Sequence, residues 1–388
     1  MNRFVPAAAL RALLLVAAIL AAILAAPRPS RAQSPDERVQ RKLDSLQRAG
    51  AFIGASVGVV FADGRSAAFV SGTSDTAKRE PLRNDHRLMA GSVGKTFFAA
   101  LAWQLAQEGK LPLDAPISRW LGNEKWFDSL PNAREITVRH LMTHSSALVR
   151  YEFNPKFLAD LQASPERAFA PVDELRYLFG SKPAFAAGQG WDYSDTNYIV
   201  LGMILEQITG TKAYAEIQRR FIGPLGLTGT IPSDRRVLPL LAQGYAGQRN
   251  EFGPFDATLT DGKFFFNPQF EWAGGGFAST GIDLARWVKA LYTGTVVDTA
   301  FVRAEVLNGV IAPMLGNGVR YGLGVIIRPT TPFGPGWGHS GFFPGYLAEM
   351  RWFPEHGVAI AVLVNQNTPR RGPAGLIADI AAELMPRR

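Results

Sequence analysis

Hydrophobic positions along the chain fall into stretches with different periods. The first is continuous: residues 12–26 are apolar without a break, with Arg3 and Arg11 ahead of them and Ser30-Arg31-Ala32 behind. A basic start, an apolar centre and small residues flanking a cleavage point predict an export signal over 1–32. A spanning helix wants about 20 apolar residues, and a retained membrane anchor is the alternative reading.

Val39, Leu43 and Leu46 then recur at helical spacing behind Ser34-Pro35-Asp36-Glu37, which offers an N-cap, a first-turn proline and a capping-box glutamate. Gly50 ends that helix. Residues 54–62 are rich in valine, Asp63-Gly64 suits a two-residue turn, and 66–71 returns as a hairpin partner. From 88 to 241 the period is mostly helical: Val93, Phe97, Ala100 and Leu101 share one face, and Leu201, Ile204, Leu205 and Ile208 another. Residues 321–328, 345–352 and 358–365 go back to β-formers, and 374–385 closes the chain as an apolar helix.

Strands at both ends with helices between them predict an α/β (α+β) fold. Short links between successive strands favour antiparallel pairing. One antiparallel sheet, built from both ends and flanked by terminal helices, would carry an inserted all-α domain. The expected division is an α/β part over 33–88 and 262–386 and a helical part over 89–261.

Composition adds limits. With 47% hydrophobic residues, 39 Gly and 26 Pro, the 388-residue chain is globular in type, and it shows no solenoid or propeller period. The absence of cysteine excludes disulfides and a lipid-attachment site, and is compatible with a periplasmic or secreted location. The formal charge of +8 says little about partners, because half of it comes from Arg3, Arg11, Arg28 and Arg31 in the leader. The remaining basic pairs, such as Arg219-Arg220 and Arg235-Arg236, are scattered. Nucleic-acid binding would need a concentrated stripe.

Candidate chemistry sits in three places. Ser92-Val93-Gly94-Lys95 puts a lysine one turn past a serine at a helix start, where positions i and i+3 share a face. A serine hydroxyl needs a neighbour to take its proton. A lysine can do so when burial or nearby positive charge lowers its pKa from about 10.4. Tyr193-Ser194-Asp195 precedes a helix; its phenol can relay a proton, and the alternative reading is an N-capping loop. Gly338-His339-Ser340-Gly341 lies before a strand. Its glycines allow close approach of a ligand and its histidine can donate to a carboxylate; the alternative is a hairpin turn with an exposed histidine.

In this order the three motifs resemble the serine β-lactamase and penicillin-binding protein family, which includes class C β-lactamases, D-alanyl-D-alanine carboxypeptidases and β-lactamase-like carboxylesterases. The runs 108–114, 136–144, 198–210, 273–276 and 321–324 resemble it too, so the likeness covers about residues 36–386. It implies that Ser92 is acylated and that Lys95 and Tyr193 share the base and acid work, in an order left open. It also implies an oxyanion hole made by the backbone N–H groups of Ser92 and Phe342. Asp195, His339, Ser340, Gly341 and Phe342 would line the substrate cleft. No metal and no organic cofactor is implied. The expected partners are small ester, peptide or β-lactam substrates, with no nucleic acid and no membrane once the leader is removed; the oligomeric state is open.

The chain departs from the family pattern at Asp195, where asparagine is usual. A carboxylate only accepts, so it cannot donate to a substrate carbonyl, and it could pair with Lys95 and hold it protonated. Poor recognition of acylamino β-lactams follows. His339 stands where lysine is frequent, and Ala147 where glycine is.

Rival motifs fail on spacing. Gly94-Lys95-Thr96 would need a glycine at position 89, which is Met89, to be a phosphate loop. Gly338-His339-Ser340-Gly341 would need a glycine at Phe342 to be a nucleophile elbow. His140 and His144 lack the glutamate of a zinc protease, Leu141 standing there, and His86 and His356 have no partner pattern. The expected function is an exported serine hydrolase cleaving esters or amides through an acyl-enzyme on Ser92, carboxylesterase- or D-alanyl-D-alanine carboxypeptidase-like. The alternatives are a class C-type β-lactamase and a non-catalytic module that binds penicillin or a cell-wall peptide.

Overall fold

A computed structural model describes residues 33–247 and 250–387, and the expected leader over 1–32 lies outside them. Helix α1 (Pro35–Arg48) starts with the capping box read from the sequence: Ser34 accepts from the Glu37 amide, and Glu37 reaches back to the Ser34 amide at 2.8 Å. Strands β1 (Gly54–Val60) and β2 (Ser66–Asp75) form the hairpin, with β3 (Glu80–Pro81) beyond. The central stretch holds α2 (Lys95–Gln107) and α3 (Thr196–Thr209). After α4 (Gly281–Tyr292) come β4 (Val310–Ile311), β5 (Arg320–Tyr321), β6 (Ile326–Arg328), β7 (Gly336–Phe343), β8 (Tyr346–Phe353) and β9 (Val358–Val364). Helix α5 (Pro373–Leu384) follows.

These strands make one nine-stranded antiparallel sheet in the order β3-β2-β1-β9-β8-β7-β6-β5-β4. The two ends of the chain meet where β1 pairs with β9, from Ala55↔Val364 to Val60↔Ala359. Both of these strands are buried along their whole length, which explains why their apolar runs show no alternation. Helices α1 and α5 cover one face, packing Val39, Leu43, Leu376 and Ile380 with Val57, Val59, Ile360 and Val362. A larger core joins the other face to the helical part through α2, α3 and α4.

Two features were not read from the sequence. Leu88–Met89 and Ile231–Pro232 flank Phe277–Ser279 as a small separate sheet. The stretch 336–343 is a full strand rather than a turn before one, and it pairs with β8 from Trp337↔Trp352 to Phe343↔Tyr346. Its glycines suggested a turn, yet they serve to let backbone pack on backbone. His339 is consequently buried instead of exposed.

Candidate active site

Ser92 lies in the single 3-10 turn Gly91–Gly94 that leads into α2, and Lys95 is the first residue of the helix. Gly91 takes φ +50°, and a Cβ there would come 2.4 Å from the Phe342 carbonyl oxygen. Only glycine lets the turn press this closely on β7. Gly94 meets Gly275 in the same way, its would-be Cβ 2.4 Å from that carbonyl oxygen. The serine turn is thereby clamped between β7 and the glycine run 273–276.

Lys95 is completely buried. Its ammonium donates to Ser92 Oγ at 3.0 Å, to Asp195 Oδ1 at 2.5 Å and to the Gly274 carbonyl. Three acceptors use all three protons of an ammonium group. Burial pushes the amine down, but the Asp195 carboxylate and the Tyr193 phenol outweigh it and hold Lys95 above its ordinary value. Asp195 stands at the N-terminus of α3 without capping it; its side chain is committed to Lys95.

Tyr193 is part-buried, with its ring centre 5.0 Å from Lys95 Nζ. Its hydroxyl is shielded from solvent and makes no well-aligned hydrogen bond. Burial raises its pKa, opposed by the nearby Lys95 and Ser92. The phenol is therefore neutral beside Ser92 and Lys95.

His339 has both ring nitrogens occupied: Nε2 meets the Tyr321 hydroxyl at 2.7 Å and Nδ1 the Ser340 carbonyl at 2.5 Å. A carbonyl only accepts, so Nδ1 carries the proton and Nε2 accepts from Tyr321. Burial, followed by the positive Lys95, depresses its pKa to about 3. The imidazole is neutral and has no proton free for a substrate carboxylate, which changes the role its sequence position suggested. Ser340, Gly341 and the exposed Phe342 continue the same wall of the cavity.

The structure thus gathers Ser92, Lys95, Tyr193, Asp195 and His339 at one place, all but the enclosed Lys95 lining a cavity of about 960 Å³. It adds His144, whose ring lies 4.2 Å from that of Tyr193 and 4.7 Å from Tyr321. Burial holds His144 well below the usual imidazole value, and its Nδ1 faces the Ser194 amide and Asn197 Nδ2 at 3.3 and 3.0 Å. His144 therefore fixes the loop that carries Tyr193. Nearby Ala147 takes φ +63°, left-handed backbone that costs a residue with a Cβ about 1–2 kcal/mol. The runs containing His144, Gly274 and Tyr321 were visible in the sequence without a role. Arg150, Glu152 and Glu271 gave no signal at all. Among the described residues no three His, Asp or Glu side chains converge as a metal site.

A clamped serine, a lysine one turn later and a phenol from a distant loop define a serine hydrolase scaffold of the penicillin-recognising class. The β-lactamase family model matches residues 39–383, and the chain belongs to that family. It is 24% identical over 303 residues to penicillin-binding protein 4* of Bacillus subtilis, covering 76% of this chain and 64% of that one. It is 31% identical over 163 residues to esterase EstB of Burkholderia gladioli, covering 40% and 41%. The chain therefore spans under two-thirds of the length of both relatives. A D-stereospecific amidohydrolase from a Streptomyces species superimposes with a TM-score of 0.75 at 26% identity, over 89% of this chain and 97% of that one.

Proposed function

We propose that this chain is an exported hydrolase that cleaves esters or amides through an acyl-enzyme on Ser92. The observation that carries this is the Ser92–Lys95–Asp195 relay, with contacts of 3.0 and 2.5 Å. The resting Lys95 is an ammonium donating to Ser92, so it accepts the serine proton only as it passes one of its own to Asp195. Excluding water favours the transfer to Asp195, because it discharges the adjacent pair and leaves a neutral amine to take the serine proton. Ser92 Oγ then bonds to the substrate carbonyl carbon. The backbone N–H groups of Ser92 and Phe342 face the developing oxyanion. Tyr193 gives its proton to the leaving alkoxide or amine and recovers it through Lys95. Water releases the acyl group by the reverse sequence.

The esterase and amidohydrolase relatives support this chemistry. Asp195 argues against an efficient β-lactamase, because its carboxylate is held by Lys95 and offers no donor. The protonated lysine favours one second reading, a module that binds a cell-wall peptide without turnover. A fluorophosphonate probe separates the two: it labels the wild type and not Ser92→Ala if the hydrolase reading holds, and labels neither if the binder reading holds. Ester turnover should fall by on the order of 10⁴-fold or more in Ser92→Ala. Export rests on the leader over 1–32; the mature N-terminus should be residue 33 in the exported fraction.

A further inference from the structure

Two cations stand against the ring of Tyr193. Lys95 Nζ lies 5.0 Å from the ring centre, and the guanidinium carbon of Arg150 lies 5.6 Å from it.

Arg150 is built into its place. The stretch after His144 that carries it is tied to the segment that carries Tyr193: Thr196 donates to the Val149 carbonyl at 2.7 Å, and Ser146 to Asn197 Oδ1 at 2.5 Å. Arg150 Nε donates to Glu152 Oε1 at 2.5 Å, and Glu152 is buried. The guanidinium also rests on the Phe153 ring, 4.3 Å from its centre. These contacts fix a planar cation in the cavity wall beside the phenol. Burial works against its charge, but Glu152 and Asp195 outweigh burial and keep Arg150 ionised.

The other groups around the phenol bring no net charge. Lys95 is matched by Asp195 in an ion pair. His144 and His339, whose rings lie 4.2 and 6.3 Å from that of Tyr193, are both neutral through burial. Tyr321, at 6.0 Å, is a buried neutral phenol. His339 stands where lysine is frequent, so that position supplies no positive charge. Burial and Asp195 raise Glu152 to about 7, so at neutral pH it cancels the Arg150 charge only in part. A phenol that gives up its proton becomes an anion, and a cation held against its ring stabilises that anion more than the neutral phenol.

We infer that Arg150 is a positioning residue for the proton transfer: acting through the Tyr193 ring, it supplies the positive charge that His339 does not, and makes the phenol a stronger donor to the leaving group. This rests on Ser92 being acylated and on Tyr193 protonating the leaving group. Arg150 then matters in proportion to the leaving group's need for a proton, most for an alkoxide and least for 4-nitrophenolate.

The test compares ethyl butanoate with 4-nitrophenyl butanoate, which share the acyl group. In Arg150→Gln, kcat/KM for the ethyl ester should fall about tenfold, the size of a desolvated cation–ring contact, and for the nitrophenyl ester by less than about twofold. Arg150→Lys, which keeps the charge, should recover most of the loss. Arg150→Met spans the same two rings and guards against misfolding of the glutamine variant; Glu152 can take up a proton in either. An equal change for both esters, including none, overturns the inference, because a role in folding or in holding the acyl group does not depend on the leaving group. So does a lysine variant no better than the glutamine one. A labelled wild type that cleaves only the nitrophenyl ester overturns it too, since no proton then reaches an alkoxide. Absence of fluorophosphonate labelling in wild type overturns the hydrolase reading, and this inference with it.

Discussion

Under α1 and α5, apolar side chains meet apolar side chains: Leu376, Ile377 and Ile380 lie with Val57, Val59 and Val362 in one core. On the side facing the helical part the chain also buries Lys95, His144, Glu152, Asp195, Glu271 and His339. The first region is held by area, so damage to it is graded by the volume lost. The second is held by specific partners, so damage depends on who is left behind. Removing one member of a buried ion pair strands a charge, which costs more than the pair ever contributed. Stability and chemistry are thus largely separated in space, and the separation can be tested.

The largest effect should come from Asp195→Ala. It strands the Lys95 ammonium, and unfolding in denaturant should show a loss of about 3–5 kcal/mol together with a collapse of ester turnover. Asp195→Asn keeps the shape and should lose much less stability. Next, Leu376→Ala in the terminal-helix core should cost about 3 kcal/mol of stability while leaving kcat/KM unchanged well below the melting temperature. If turnover fell in step with stability there, the two regions would not be independent.

A smaller effect is the pH dependence of stability. His339 is held at about 3 when folded, against about 6.5 when unfolded, so the unfolded chain takes a proton that the folded chain refuses. Its contribution is complete above pH about 6.5 and is lost as the pH falls toward 3. His144, also depressed by burial, acts in the same direction. Glu152, raised to about 7, acts oppositely: its contribution is complete below about pH 4.5 and is lost as the pH rises through 7. Melting temperatures of His339→Gln across this range should show a shallower acid limb than wild type. The smallest effect belongs to the surface. Asp36 and Arg65 pair at 2.8 Å with exposures of 42% and 44%, and Asp36→Ala should cost under about 1 kcal/mol.

Much of this was legible in the chain. Ser34-Pro35-Asp36-Glu37 specified its capping box, because every partner lies within one turn. The relation of Ser92 to Lys95 was legible for the same reason. A pairing of Lys95 with Asp195 was one possibility opened by the departure from the family's asparagine, and the structure places the two in contact. The alternative of a turn at His339 stayed open in the sequence because glycines at 338 and 341 signal turns as readily as close backbone packing.

Local spacing and hydrophobic period therefore determined the helices, the hairpin and the serine–lysine pair, since each depends on neighbours a few residues apart, while the sheet joined from both ends followed from the order of strands and helices along the chain. Only the tertiary structure decided that Lys95 is held as an ammonium, that both His339 nitrogens are occupied, and that Glu152 is buried against Arg150. Those states depend on burial and on partners from distant segments, and neither quantity is encoded at a single position.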